Sequence, residues 1–149
     1  MSKSTPELNL AQLLKHPFEA LVARLHDELA AAGFRDIRPA HGCVLQYAEP
    51  GGSRLTAIAQ RAGLTKPTVL AAVDDLVRLG YAARLPDPAD GRAKLVRLTP
   101  RGSAAAAEGG RIIAGIERDW CQRLGPRRAQ ALRRALEDLH ETVWPAPPA

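Results

Sequence analysis

Two short amphipathic stretches joined by one glycine-containing turn constrain this chain more than any other feature. Leu55, Ile58, Ala59 and Ala62 recur at three- and four-residue steps, and Val69, Ala72, Val73, Leu76 and Leu79 do so again after Gly63-Leu64. That is the spacing of one buried helix face. Gly63 lets the first helix end in a left-handed conformation at little cost. Thr65 is placed to cap the next helix, with Pro67 tolerated in its first turn, so a second helix is predicted over 65–80, closed by Gly80. Helices this short on a link this tight cannot lie antiparallel; they must cross steeply, as in a helix-turn-helix. Ala59 is small where the two helices touch, and Val69 anchors the second helix to the core.

Beyond Gly80 the hydrophobic period changes. Residues 81–85 and 94–98 read as two short strands, and the turn-rich stretch 86–93 between them reads as a long, polar, basic hairpin tip. Ser53-Arg54 is a candidate third strand. Upstream, Leu10, Leu13, Leu14, Phe18, Leu21, Val22, Leu25 and Leu29 mark a helix over 8–32 that Pro17 should bend or divide and Gly33 should stop. A second helix is expected over 39–48, ended by Glu49-Pro50-Gly51-Gly52. Downstream, helices are expected over 100–124 and 126–143, jointed at Gly125-Pro126, the first weakened by Gly109, Gly110 and Gly115. Residues 145–149 are expected to be loose. The fold class is therefore mainly α with a small β-hairpin wing: a winged helix-turn-helix flanked by N- and C-terminal helices.

Charge points to the partner. Residues 54–98 carry eight Lys or Arg against four Asp or Glu, whereas 1–53 carry five against six and 99–149 eight against six. A basic middle third is what a polyanion partner requires. Aromatic residues make up only 4%, which disfavours stacking on single-stranded bases. With 149 residues the chain is sized for one domain. No apolar run reaches the ~18–20 residues of a membrane helix, and the first twenty residues lack the pattern of a secretory leader. Cys43 and Cys121 read as reduced thiols, so a cytoplasmic protein with no membrane partner is expected. His16, His26, His41 and His140 do not fall at a shared-face helical spacing, and no nucleophile, paired-carboxylate or phosphate-loop set assembles. The expectation is a non-enzyme without metal or cofactor.

The helix opening at Thr65 would enter a major groove by its N-terminal end. With Val69, Val73 and Leu76 inward, Pro67, Thr68, Ala71 and Arg78 turn outward and Lys66 lies at the flank. Thr65, Lys66 and Thr68 suit phosphate or base edges, and Ala71 suits a thymine methyl. On the hairpin, Arg92 would reach the minor groove with Lys94 behind it, and Asp90 would hold Arg92 by an ion pair. Arg54 and Arg61 are candidate phosphate contacts.

Gly63-Leu-Thr-Lys-Pro-Thr-Val69, Val73-Asp-Asp-Leu76, the run from Leu79 through Asp87 and Gly91 to Ala93, and Leu98-Thr-Pro-Arg-Gly102 together resemble the MarR family of bacterial regulators. The resemblance is specific over about 55–102 and architectural elsewhere. It implies residues 1–36 and 100–144 as interleaved dimerisation helices around a winged helix-turn-helix at 37–99, in one compact chain. It also implies a homodimeric, duplex-DNA-binding transcriptional regulator, a ligand-responsive repressor on a pseudopalindromic operator. Its effector would be a small aromatic or phenolic molecule, with Arg38, His41 and Cys43 as candidate ligand residues. The chain departs from the family at Leu70 and Ala71, where a polar pair is common, and at Asp75, where a basic residue is common. It also lacks the first-helix cysteine of the peroxide-sensing branch. Those departures keep a second expectation open, a winged-helix interaction module that does not read DNA.

Overall fold

The computed structural model describes residues 7–144; the expected loose tail at 145–149 lies outside them. Asn9 opens α1 (Leu10–Ala31) with a reciprocal cap, its side chain accepting the Gln12 amide and the Gln12 side chain accepting the Asn9 amide. Pro17 does not divide this helix. The half around it is exposed, so the carbonyl left without an amide partner meets water, and the helix continues because Leu21, Leu25 and Leu29 pack on the core beyond it. The expected helix over 39–48 is two pieces, a 3-10 turn at Pro39–His41 and α2 at Gly42–Tyr47.

The centre keeps closely to the sequence pattern. Strand β1 (Ser53–Arg54) leads directly into α3 (Leu55–Ala62), and Gly63 adopts φ 64° and ψ 31°. The Leu64 amide then reaches the Ala59 carbonyl at 3.0 Å, closing α3. Thr65 caps α4 (Lys66–Arg78) through its hydroxyl. Val69, Ala72, Val73 and Leu76 are buried along one side of α4. Strands β2 (Ala82–Asp87) and β3 (Asp90–Leu98) pair antiparallel, with β1 on the other edge of β3 through Ser53 opposite Val96 and Arg54 opposite Leu95.

The hairpin tip is shorter than its composition implied. Strands run to Asp87 and Asp90 with a bulge at Pro86/Asp87, leaving Pro88-Ala89 as the turn. The turn's polar side chains cause this. The Asp87 carboxylate accepts the Ala89 amide at 2.9 Å, and the Asp90 carboxylate accepts the Arg92 amide at 3.1 Å. Each supplies locally the partner that a longer loop would have sought in water.

Two helices complete the chain, α5 (Pro100–Leu124) and α6 (Pro126–Val143). Ile112 and Ile116 of α5 join Val44, Ile58, Val69, Val73, Leu76, Tyr81 and Val96 in one core. No residue of α6 is buried, and Leu10, Leu13, Leu14 and Phe18 of α1 are likewise uncovered. The apolar stripes that should cover something are left facing water.

Gly102 fixes how α5 leaves the sheet. Thr99 caps α5 by accepting the Gly102 amide at 3.1 Å and donating its hydroxyl to the Gly80 carbonyl at 2.7 Å. That tight corner presses Gly102 against the Tyr81 backbone, where an added Cβ would overlap the carbonyl oxygen. Gly102→Ala should therefore destabilise the fold by roughly 1–3 kcal/mol in denaturant unfolding. Gly51→Ala, which meets open space, should stay within about 0.5 kcal/mol of the parent. Equal effects would contradict the packing described.

Candidate nucleic-acid interface

Because one side of α4 is committed to the core, the other side is fixed in water. Lys66, Pro67, Thr68, Leu70, Ala71, Asp74 and Arg78 are all exposed, as is the capping Thr65. The Thr65 hydroxyl accepts the Thr68 amide at 3.4 Å and shares a hydrogen bond with the Thr68 hydroxyl at 2.8 Å. The first turn of α4 thus presents two hydroxyls and a lysine beside the positive end of the helix dipole.

Strand β2 of the wing packs against α4. Arg92, Lys94 and Arg97 on β3 are exposed. The expected ion pair between Asp90 and Arg92 does not form: the Asp90 carboxylate takes the Arg92 backbone amide instead, which shapes the turn and leaves the guanidinium without an ion pair among the described residues. One link that sequence reasoning missed joins wing to helix, an ion pair from Arg84 of β2 to Asp74 of α4. Its signal in the sequence was weak, since residues ten apart in different elements carry no spacing rule.

Arg54 and Arg61 sit less freely than expected. Arg54 donates its Nε to the Asp87 carboxylate at 2.8 Å and pairs with it again at 2.6 Å. With the Ala89 amide, that guanidinium holds the Asp87 carboxyl below the usual carboxylate range. Arg61 donates to the Tyr47 carbonyl at 3.0 Å and pairs with Glu49 at 2.5 Å. Both are structural ties within the chain, and any phosphate would compete with a carboxylate already in place.

Asp75, anomalous in the sequence, has a structural reason. Its carboxylate pairs with Arg78 at 2.8 Å, receives His41 Nε2 at 3.3 Å and pairs with Arg38. Hydrogen bonds from Arg78 and His41, with Arg38 nearby, hold its carboxyl down to about 2. His41 is completely buried, its Nδ1 accepting the Arg38 amide at 3.0 Å. Asp75 therefore ties α4 to the turn before α2 and is turned away from the outer face.

A second polar joint lies below. Tyr81, buried, donates its hydroxyl to Asp36, while Arg101 of α5 lies 4.3 Å from the centre of the tyrosine ring and 3.4 Å from Asp36. Burial first, then the hydrogen bond to Asp36, pushes the Tyr81 phenol up to about 12.

The three candidate ligand residues fall close together in sequence and line neither of the two surface grooves described below. Arg38 and His41 are committed to Asp75, and the Cys43 thiol donates to the Ala40 carbonyl at 3.4 Å with its pKa raised by burial. Two surface grooves lie elsewhere. One of about 470 Å³ runs along α1 and α5 past Arg24, Asp119 and Trp120. The other, of about 740 Å³, lies between α3 and the end of α6 and is lined by Tyr47, Arg61, His140 and Trp144. The Trp144 ring rests on Gly63, so an added Cβ there would strike it.

Residues 36–93 match the sequence profile of the MarR family. The curated proteins give no match. Among solved structures, MepR of Staphylococcus aureus in complex with DNA is similar over 92% of this chain and 100% of its own, at 21% identity and a TM-score of 0.77. CouR of Rhodococcus jostii bound to p-coumaroyl-CoA is similar over 93% and 94%, at 19% identity and a TM-score of 0.75. The reduced form of MarR from E. coli is similar over 89% and 97%, at 21% identity and a TM-score of 0.74. At these identities the likenesses establish the fold.

The Asp75 joint predicts an acid limb in stability. A carboxyl whose folded pKa lies near 2, below the ordinary 3.8, stabilises the fold above about pH 4 and loses that contribution as pH falls toward 2. Asp75→Asn should therefore be less stable than the parent near neutrality, and the gap should close between pH 4 and 2. A gap independent of pH in thermal melts would contradict the joint.

Proposed function

We propose that this chain, whose residues 36–93 match the MarR family profile, is a regulator of that family that binds duplex DNA as a homodimer and regulates transcription, acting as a ligand-responsive repressor on a pseudopalindromic operator. One observation carries the reading: the start of α4 lies open in water, held outward by its buried face, while β2 of the wing packs against α4 and the cationic strand β3 is paired to β2. A helix start inserts into a major groove by its first turn, and a wing beside it reaches the flanking backbone or minor groove. In this reading Thr65, Lys66, Pro67, Thr68 and Ala71 face base edges and phosphate, and Arg92 and Lys94 track the adjacent strand. Asp90 shapes the turn that presents Arg92. Arg54 and Arg61 contribute at the margin, where they already neutralise protein carboxylates.

The second copy is supported by what the fold leaves uncovered. Leu10, Leu13, Leu14 and Phe18 share one side of α1, and Leu132, Leu136, Leu139 and Val143 one side of α6, all at least two-fifths exposed. Covering what is still exposed of each such side chain is worth roughly 1 kcal/mol, in sum comparable to the net stability of an ordinary domain. A twofold partner that interleaves the same helices satisfies both stripes and duplicates α4, which would place two helix starts about 34–36 Å apart for successive grooves. That CouR was solved with p-coumaroyl-CoA supports a small aromatic or phenolic effector for this chain as well. A regulator of this kind acts where the genome is, in the cytoplasm.

Salt separates this reading from an interaction module. Titrated with a pool of genomic duplexes, the parent should lose affinity linearly in log salt, because each neutralised phosphate releases counterion. Arg92→Ala should weaken binding and flatten that slope by about one unit per protomer, with no change in thermal midpoint. Salt-independent binding, or an Arg92→Ala protein of unchanged affinity, would contradict the assignment. For the dimer, Leu136→Glu with Leu139→Glu should give the mass of one chain in light scattering where the parent gives two. A doubly substituted protein that stayed dimeric would remove α6 from the interface.

A further inference from the structure

The outer face of α4 carries an unusual surface for a groove-reading helix. Pro67, Leu70, Ala71 and Asp74 have i, i+3, i+4, i+7 spacing, so they share one face, and all four are exposed. Leu70 is 44% exposed on an element whose other large apolar side chains are buried or half-buried. Apolar Pro67, Leu70 and Ala71 form a triangle at the leading half of the helix. The acid at its trailing corner is already paired, because Arg84 reaches Asp74 from β2. No Arg, Asn or Gln stands between Thr65 and Val77, so Lys66 is the one side chain of the helix start able to read guanine by paired hydrogen bonds, and none there suits adenine in that way. Lys66 and Thr68 flank the triangle with charge and hydroxyl, which keeps the helix start matched to a polyanion.

A major groove offers one apolar group on its floor, the C5 methyl of thymine. Resting on the duplex-binding reading above, we infer that Leu70 is the specificity-determining residue of this chain. With Ala71 and Pro67 it packs on thymine methyls, so that each half-site is chosen by thymine placement more than by hydrogen bonds to purines. A leucine left in water has no reason to be excluded from a protein surface. Three apolar side chains on the one face that meets the groove are a different matter, since they would displace water from base edges without replacing its hydrogen bonds unless an apolar partner waited there. Thymine methyls supply that partner. The same arrangement predicts tolerance where a purine-reading helix would be strict.

The test isolates the methyl. The intact protein selects sites from a random duplex library, and each thymine in the recovered site is then replaced by deoxyuridine, which differs only by the lost C5 methyl. At one or two positions per half-site, deoxyuridine should weaken binding about three- to fivefold, the effect of one buried methyl-sized group. Leu70→Ala, at an exposed position that the fold does not need, should lose most of that penalty while keeping the parent's salt dependence. Deoxyuridine tolerated at every position of a site that is still selected would overturn the inference and leave the DNA reading standing. A penalty that persists undiminished in Leu70→Ala would overturn it too, by placing the methyl contact elsewhere. Failure to recover any preferred duplex would overturn the DNA reading, and this inference with it.

Discussion

The rotational setting of α4 governs everything outside the core. Val69, Ala72, Val73 and Leu76 are buried together, and a helix has only one orientation that buries such a stripe. Turning it by one residue, about 100°, would expose a core face worth several kcal/mol. The outer face is thereby assigned without any interaction of its own. Gly63 makes the assignment possible, since its left-handed backbone lets α3 stop and α4 start within a single turn. The exposed helix start is thus a by-product of core packing, held as firmly as the core itself.

The polar ties set angles more than they add stability. Exposed ion pairs contribute about 0–1 kcal/mol each, and most pairs here are at least partly exposed, Arg84 to Asp74 and Arg38 to Asp75 among them. Their placement is more telling than their strength. Arg84 joins the wing to α4, Asp75 joins α4 to the turn before α2 through Arg38 and His41, and Asp36 with Tyr81 and Arg101 joins that same region to α5. The buried His41 and Asp87 are both hydrogen-bonded, and no buried side-chain polar atom among the described residues lacks a partner, so the joints do not weaken the core.

What could be read from the chain tracked the strength of local rules. The α3–α4 pair was legible because glycine, a capping threonine and two helical stripes agree at consecutive positions, and the third strand and both C-terminal helices came from similar punctuation. Element ends were less legible. Residues 86–93 have the composition of a long loop, but Asp87 and Asp90 bind backbone amides and so shorten it to two residues. Pro17 looked like a break, yet a proline in a water-facing turn leaves only an exposed carbonyl unmatched. Charged residues were the hardest, because partners distant in sequence decide their roles: Arg54 and Arg61 look free in the sequence and are paired in the fold. Asp75 looks misplaced for a reading helix until its three cationic or imidazole partners come from two elements. Leu70 belonged to neither class. It was visible as a departure from the family, while its meaning depended on seeing that nothing covers it.

If the first turn of α4 meets base edges in two copies related by a twofold axis, contact from that turn must fall on DNA twice and at a fixed spacing. A photo-reactive amino acid placed at position 68 of the intact protein, irradiated on a selected duplex and mapped to single nucleotides, tests both parts at once. The structure predicts crosslinks to bases in two half-sites centred about 10 base pairs apart or a multiple of that. Crosslinking absent from position 68 but efficient from an α6 position such as 134, or confined to a single unpaired location, would contradict it.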